Sequence, residues 1–438
     1  MKQLQPRISG ELKAPGDKSI THRALVFAAL TSGRSTISGL SPAQDCRSTI
    51  ACLQALGLTV EPDKGLPGVA KGEPGKIAVA SPGLAGLRQS SRPLYAGNSG
   101  TTIRLLSGLA AGLPFVTSFD GDESLRGRPM SRVLDPLCRM GACVQYQSRE
   151  GYAPYAVSGG KLAGIDYTAP VASAQVQTAL LIAGLQAQGR TTVTVPGTPR
   201  DHTERMFRHI GVPFQANGAG SITVQQLTAP IAPFHIDVPA DISSAAFFMV
   251  AAALLPGSGI VLPAVGVNPG RRLIVDVLRA MGASVTLEHE RTVSGEPVAD
   301  IAVTFAGRLK GTTVGGDIIS AGIDELPILS LAGALCDGLF SVRGAAELRV
   351  KESDRLKAIV LNLRAAGAGV TEYEDGFDIQ GQAHLPGGSA WTTFGDHRLA
   401  MTAIIAGLVC DTPLSIDDTA CVAISYPSFE SDLKSLLK

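Results

Sequence analysis

One feature constrains the fold of this chain more than any other: an apolar, small-residue helix, a Gly or Pro turn and a β-rich run recur six times. The copies are His22 to Ile37, Thr101 to Val116, Ala174 to Val193, Ser243 to Val261, Glu325 to Val342 and Asp396 to Ile416. Their spacing, roughly 70–80 residues, exceeds that of a typical solenoid unit. One such unit cannot bury its apolar face alone, so copies must pack on one another. A second helix follows, and its end is marked by Gly before a strand-like run. These endings read Leu56-Gly57-Leu58-Thr59-Val60, Met140-Gly141-Ala142-Cys143-Val144, Ile210-Gly211-Val212-Pro213-Phe214, Met281-Gly282-Ala283-Ser284-Val285 and Ala366-Gly367-Ala368-Gly369-Val370. Gly suits a left-handed helix C-cap and the β-branched run suits a strand, so each unit reads β-α-β-α-β-β.

The last copy ends at its second helix, Ser428 to Leu437, and the strand-like N-terminus, Gln3 to Leu12, has no helix before it. The simplest closure has the first residues completing the last unit. At 438 residues the chain is too long for one ordinary core. The expectation is an α/β protein of two globular domains, each of three repeats. One domain would be discontinuous, residues 1–17 plus 238–438, and the other would span 18–237. Crossings near Gly16 and Val238 would form a hinge, and the inter-domain cleft is the expected ligand site. A non-catalytic repeat scaffold is the competing reading. It is disfavoured because the copies differ most where a scaffold has no need to differ.

Charge decides which partners are excluded. Lys+Arg and Asp+Glu both number 38, so the net charge is zero. Nucleic acids and acidic membranes select a field of one sign, and a single Trp leaves little for base stacking. The uncharged stretch Ser243 to Val267 is broken by Pro256, Gly257 and Gly259, too interrupted for a membrane span. The first residues, Met1 to Pro6, show neither an apolar signal region nor a transit-peptide pattern. Seven cysteines without C-x-x-C spacing read as buried, reduced thiols of a cytoplasmic protein. Anion binding, if present, must come from local clusters.

The helix starts supply such clusters. They are Gly16-Asp17-Lys18-Ser19, Gly97-Asn98-Ser99-Gly100-Thr101, Ala172-Ser173-Ala174-Gln175, Ala240-Asp241-Ile242-Ser243-Ser244, Gly322-Ile323-Asp324-Glu325 and Gly395-Asp396-His397-Arg398. Free N–H groups and the positive dipole end make a helix start an anion site, although Asp, Ser, Thr and Asn there act first as N-caps. Lys and Arg work against the dipole, so their recurrence needs another reason. Lys18, Arg23, Arg104 and Arg398 occur on first helices; Arg128, Arg200, Lys351 and Arg355 occur on or near second helices. Eight cations at equivalent ends of repeated units in a neutral chain favour convergence on an anion. Among them lie two acids, Asp324 and Glu352. An acid among cations stays ionised and serves as a base if it touches a substrate hydroxyl. Capping or salt bridging is the alternative for both.

Other motifs fail on spacing. Gly16-Asp17-Lys18-Ser19 lacks the Gly before Lys that a P-loop needs, and the seven histidines show no metal-ligand pattern. His22 and His397 lie near motifs and read as structural. No G-x-S-x-G elbow or dinucleotide fingerprint occurs in its required context.

At these residues the sequence resembles the 5-enolpyruvylshikimate-3-phosphate synthase family. The matching segments are Pro15 to Arg23, Gly97 to Arg104, Leu125 to Met130, Ser173-Ala174-Gln175, Arg200 to Glu204, Asp324 to Pro327, Arg349 to Leu356 and Gly395 to Arg398. The resemblance implies two domains of threefold-repeated units with helices packed inside sheets. It also implies transfer of the enolpyruvyl group of phosphoenolpyruvate to the 5-hydroxyl of shikimate 3-phosphate. The reaction is addition and elimination through a tetrahedral ketal phosphate, with no metal and no cofactor, in a cytoplasmic monomer.

On that resemblance Asp324 takes the hydroxyl proton, and Glu352 and Lys18 are candidates for the proton at the methylene carbon. Lys18, Ser19, Arg23, Ser173, Gln175, Arg200, Asp324 and Lys351 form the implied shikimate 3-phosphate set. Lys18, Gly100, Arg128, Gln175, Arg355 and Arg398 form the phosphoenolpyruvate set, on a loop shaped by Asn98 and Thr101. Two positions depart from the family pattern. Ile424 stands where many members carry a C-terminal lysine, and Glu347 stands where many carry Asn. These changes resemble the class that includes glyphosate-tolerant enzymes, whereas Gly100 is the residue of sensitive ones. The implied outcome is glyphosate binding in the phosphoenolpyruvate site. A transferase of the same fold acting on UDP-N-acetylglucosamine is the near rival. It would have Asn where Ser19 follows Lys18, and a mobile-loop cysteine that is missing here. An RNA-end-processing enzyme of related repeats would need a nucleotide site that is not found.

Overall fold

The glycines closing the second helices all adopt the left-handed conformation. Their φ values are +106° at Gly57, +110° at Gly141, +77° at Gly211, +88° at Gly282 and +95° at Gly367. A side chain would be strained there, and each turn releases the chain into a strand. The computed structural model describes residues 6–62, 75–197, 200–218 and 220–438. Within it the chain forms two units. One comprises Met1–Pro15, Pro239–Thr292 and Pro297–Lys438; the other comprises Gly16–Val238 with Val293–Glu296.

Five four-stranded sheets share one pattern. In each, a short strand pairs parallel with the strand after a first helix, and the next strand pairs antiparallel. In the sixth copy two parallel pairs replace the sheet: Leu385–Gly387 with Cys410–Thr412, and Ala390–Trp391 with Ser415–Ile416. The chain then reaches its last helix, Phe429–Leu436.

The N-terminal strand does not complete that last unit. Ser9–Glu11 pairs parallel with Gly259–Gly266, the strand following the helix Ile242–Leu254 in the fourth copy. Conversely His235–Asp237, which precedes that helix in the chain, pairs with Ser32–Ser38 of the first copy. The strands before the helices Lys18–Ala28 and Ile242–Leu254 are therefore exchanged between the two units. At the end of the last copy Ile8 bridges Leu437, and the Arg7 carbonyl accepts from Lys438 N–H at 2.9 Å. Residues 3–5 of the expected N-terminal strand lie outside the described residues.

Helices apolar on every side require cover on every side. Ile242 to Ala253 and the whole helix Leu326–Ala334 are buried. In one unit Ile242–Leu254, Leu326–Ala334 and His397–Val409 pack together; in the other Lys18–Ala28 and Ala174–Gly184 both pack on Gly100–Ala110. Strands such as Val116–Asp120 alternate buried and more open residues, which places sheets outside the helices. The packing of Gly100–Ala110 on Ala174–Gly184 depends on Gly108, where an added Cβ would stand 2.1 Å from the Ala179 carbonyl oxygen.

No helix among the described residues is long and apolar enough to cross a membrane. All seven cysteines are unbridged, and Cys46, Cys52, Cys336 and Cys421 are buried. Cys138 and Cys143 are exposed, contrary to the expectation of uniformly buried thiols. Cys138 lies in the last turn of the helix Ser131–Arg139, and Cys143 opens the outer strand Cys143–Tyr146, whose alternation turns it outward.

Candidate active site

In the Gly16–Val238 unit the first-helix starts are capped as their residue types predict. Asp17 accepts from Ile20 N–H, Ser99 from Thr102 N–H and Ser173 from Val176 N–H. Capping thus occupies the acids and hydroxyls, and the cations remain to be explained. Lys18 Nζ lies 2.8 Å from Asp45 Oδ2, both groups mostly buried. Arg23 is buried and its guanidinium is fixed by Thr203 Oγ1 at 3.0 Å, Thr178 Oγ1 at 3.0 Å and the Ser19 carbonyl at 3.0 Å. Burial pulls its pKa down to about 10, against the pull of Asp17 and Glu204, and it stays charged at neutral pH. Arg200, just before the helix His202–Ile210, adds a second positive charge that acts on Arg23.

The second and third helix starts of this unit are joined by Gln175. Its Nε2 donates to Thr101 Oγ1 at 2.8 Å, and its Oε1 accepts from Arg104 Nη1 at 2.8 Å. Arg128 donates to Asn98 Oδ1 at 2.7 Å, and Asn98 donates to Asp122 Oδ2 at 2.9 Å. The space over Gly100 is taken by guanidinium groups: an added Cβ would stand 2.7 Å from Arg104 Nη1 and 3.5 Å from Arg128 Nη1. His22 is buried, with Nδ1 2.7 Å from Thr49 Oγ1, and burial lowers its pKa to about 3. It is a neutral structural side chain.

The other unit gathers the acids. Asp324 lies in the short turn Ile323–Glu325, and its carboxylate is an ion-pair hub. Oδ1 accepts from Lys351 Nζ at 3.3 Å and Arg355 Nη1 at 3.2 Å, while Oδ2 lies 3.9 Å from Arg271 Nη1. The Asp324 carbonyl accepts from Arg398 Nη1 at 3.0 Å. Arg355, fully buried, also contacts Glu352 Oε2 at 2.6 Å and Asp396 Oδ2 at 2.7 Å. Burial alone would lower its pKa, but Asp396, Glu352 and Asp324 together raise it above the ordinary arginine value. Burial likewise opposes charge on Asp396, and the adjoining Arg355 holds its carboxyl below the usual range. Asp396 also caps His397–Val409, and His397 is buried.

The structure thus distributes the expected residues over two sets. Lys18, Ser19, Arg23, Gly100, Arg128, Ser173, Gln175 and Arg200 belong to one unit; Asp324, Lys351, Glu352, Arg355 and Arg398 belong to the other. Ile424 packs against the apolar core of its unit, and Glu347 sits half-buried in the turn Ala346–Val350. Among the described residues no cluster of His, Cys, Asp or Glu could hold a metal ion.

Comparison with known proteins decides the family. The sequence model of EPSP synthase (3-phosphoshikimate 1-carboxyvinyltransferase) matches residues 2–433. The chain belongs to the EPSP synthase family. A 3-phosphoshikimate 1-carboxyvinyltransferase of Geobacter metallireducens is 46% identical over 422 residues, covering 96% of this chain and 95% of that protein. The solved EPSP synthase of Acinetobacter baumannii superposes with TM-score 0.86 at 38% identity, over 99% of this chain and 98% of that one. The enolpyruvyl transferase NikO of Streptomyces tendae, at TM-score 0.77 and 18% identity over 99% and 98% of the two chains, shares the fold. The activity of the EPSP synthase family, enolpyruvyl transfer in aromatic amino acid biosynthesis, is the activity of this enzyme.

Sequence reasoning passed over Asp45, Asp396, Glu325 and Arg271. The three acids stand at helix starts, where capping explains an acid without any function. Arg271 had a usable signal. Arg128, Arg200 and Arg355 all stand at or just before second helices of this EPSP synthase fold, and Arg271 holds that place before Leu273–Ala280.

Proposed function

We propose that the acceptor is shikimate 3-phosphate and the donor phosphoenolpyruvate, both held by fixed cations. The observation that supports this most is Asp324, a carboxylate receiving Lys351 and Arg355 on Oδ1. Two multiply anionic substrates need such an excess of fixed cations, and preorganised charge supplies much of the rate. Lys18, Ser19, Arg23, Ser173, Gln175, Arg200, Asp324 and Lys351 grip shikimate 3-phosphate. Lys18, Gly100, Arg128, Gln175, Arg355 and Arg398 grip phosphoenolpyruvate.

In this reading Asp324 takes the proton of the 5-hydroxyl as its oxygen bonds to C2 of phosphoenolpyruvate and C3 gains a proton. Glu352 and Lys18 handle that C3 proton. In the second half C3 gives a proton back and the C2–O bond to phosphate breaks, forming the enol ether and free phosphate. The same reading makes the enzyme a cytoplasmic monomer without cofactor, and the unbridged thiols suit a reducing compartment. Glyphosate would compete with phosphoenolpyruvate, since Gly100 adds no methyl group beside the Arg104 and Arg128 guanidinium groups.

Asp324→Asn tests the assignment, because it keeps the shape and removes the base. Turnover should fall by about 100-fold or more while the KM for shikimate 3-phosphate changes only a few-fold. Unchanged turnover would remove Asp324 as the base.

A further inference from the structure

Glu325 follows the proposed base in sequence but has no part in either substrate set. We propose that it is a positioning residue, one that aims the Arg398 guanidinium at phosphoenolpyruvate; this rests on the assignment of Arg398 made above. Glu325 is 1% exposed and begins the helix Leu326–Ala334 without a side-chain cap to it. Its Oε1 accepts from the Ser243 hydroxyl and lies 3.5 Å from Arg398 Nη1. Ser243 in turn accepts from Arg271 Nη2 at 2.6 Å, and that nitrogen is 3.2 Å from Asp241 Oδ1. A polar chain, Arg271 to Ser243 to Glu325 to Arg398, therefore runs across the starts of the three first helices of this unit.

Two physical points separate this from a stabilising ion pair. A buried carboxylate is costly to desolvate, and an apolar residue at such a site often serves stability as well or better. Here the second oxygen, Oε2, is buried with no hydrogen-bond partner among the described residues. The helix dipole favours an acid at this place but does not explain its pairing with Ser243 and Arg398. What the arrangement does achieve is directional. Arg398 Nη1 is fixed from two sides, by the Asp324 carbonyl at 3.0 Å and by Glu325. The rest of the planar guanidinium is thereby oriented for a bidentate grip on an anion.

The experiment compares Glu325→Gln, Ser243→Ala and Arg398→Lys by steady-state kinetics with each substrate varied, alongside thermal melting. Glu325→Gln should raise the KM for phosphoenolpyruvate by about tenfold, with the KM for shikimate 3-phosphate within about twofold. Ser243→Ala, which removes the hydroxyl joining Arg271 to Glu325, should move the same KM in the same direction by a smaller factor. If Glu325→Gln does not fold, Ser243→Ala carries the test. The inference is overturned if Arg398→Lys raises that KM while Glu325→Gln and Ser243→Ala leave it unchanged. It is also overturned if both KM values and the melting temperature shift together, as a purely structural role requires. If Arg398→Lys itself leaves the phosphoenolpyruvate KM unaltered, the failure lies in the assignment of Arg398 and takes this inference with it.

Discussion

Arg355 shows how one side chain sets the electrostatics around Asp324, the proposed base. A buried guanidinium facing Asp324, Glu352 and Asp396 offsets three acids that would otherwise repel one another. Glu204 is the opposite case. Burial raises its pKa from an ordinary 4.5 to about 6, only partly countered by Arg23 and His202. The folded chain thus keeps this proton to higher pH than the unfolded chain. Its contribution to stability is full below about pH 4.5, is lost as pH rises to about 6, and stays lost above. Glu204→Gln should remove that decline and leave the protein about 1–2 kcal/mol more stable at pH 7. Urea unfolding of both proteins from pH 4 to pH 8 checks this, and parallel pH profiles would refute it. At this scale the sequence was legible where charge contradicted helix physics, as at Lys18 and Arg398. It was silent where charge agreed with it, as at Asp45 and Asp396.

At the scale of elements, Gly108 and Gly407 isolate the role of helix packing. Both lie inside first helices, but Gly108 meets the backbone of Ala174–Gly184 while Gly407 has nothing within 4 Å. Gly108→Ala should destabilise by about 1–3 kcal/mol through overpacking, and Gly407→Ala should stabilise by up to about 1 kcal/mol through helix propensity. Melting curves of the two variants suffice, and equal effects would contradict the packing account. The helix ends were readable because a left-handed Gly is a local requirement, met in all five turns. The exchange of Ser9–Glu11 and His235–Asp237 was not readable. Parallel pairing joins strands distant in sequence, and two short strands before two similar helices carry no local mark of which sheet they enter.

For the molecule as a whole, the proposed shikimate 3-phosphate set includes both Lys18 and Lys351. Lys18→Ala and Lys351→Ala should therefore each raise the KM for shikimate 3-phosphate, by about tenfold or more for the loss of a charged contact. A change confined to one of them would remove the other from the proposed set. The six-copy repeat and the family were legible in the sequence, because internal copies and end-to-end motifs survive without coordinates. The ion-pair web around Asp324 was not, since it joins residues of three copies. The most direct measurement of the central claim is phosphate release by the purified enzyme from phosphoenolpyruvate, with candidate acceptors added one at a time. Shikimate 3-phosphate should trigger stoichiometric release and UDP-N-acetylglucosamine none; release with the nucleotide sugar, or none with shikimate 3-phosphate, would contradict it.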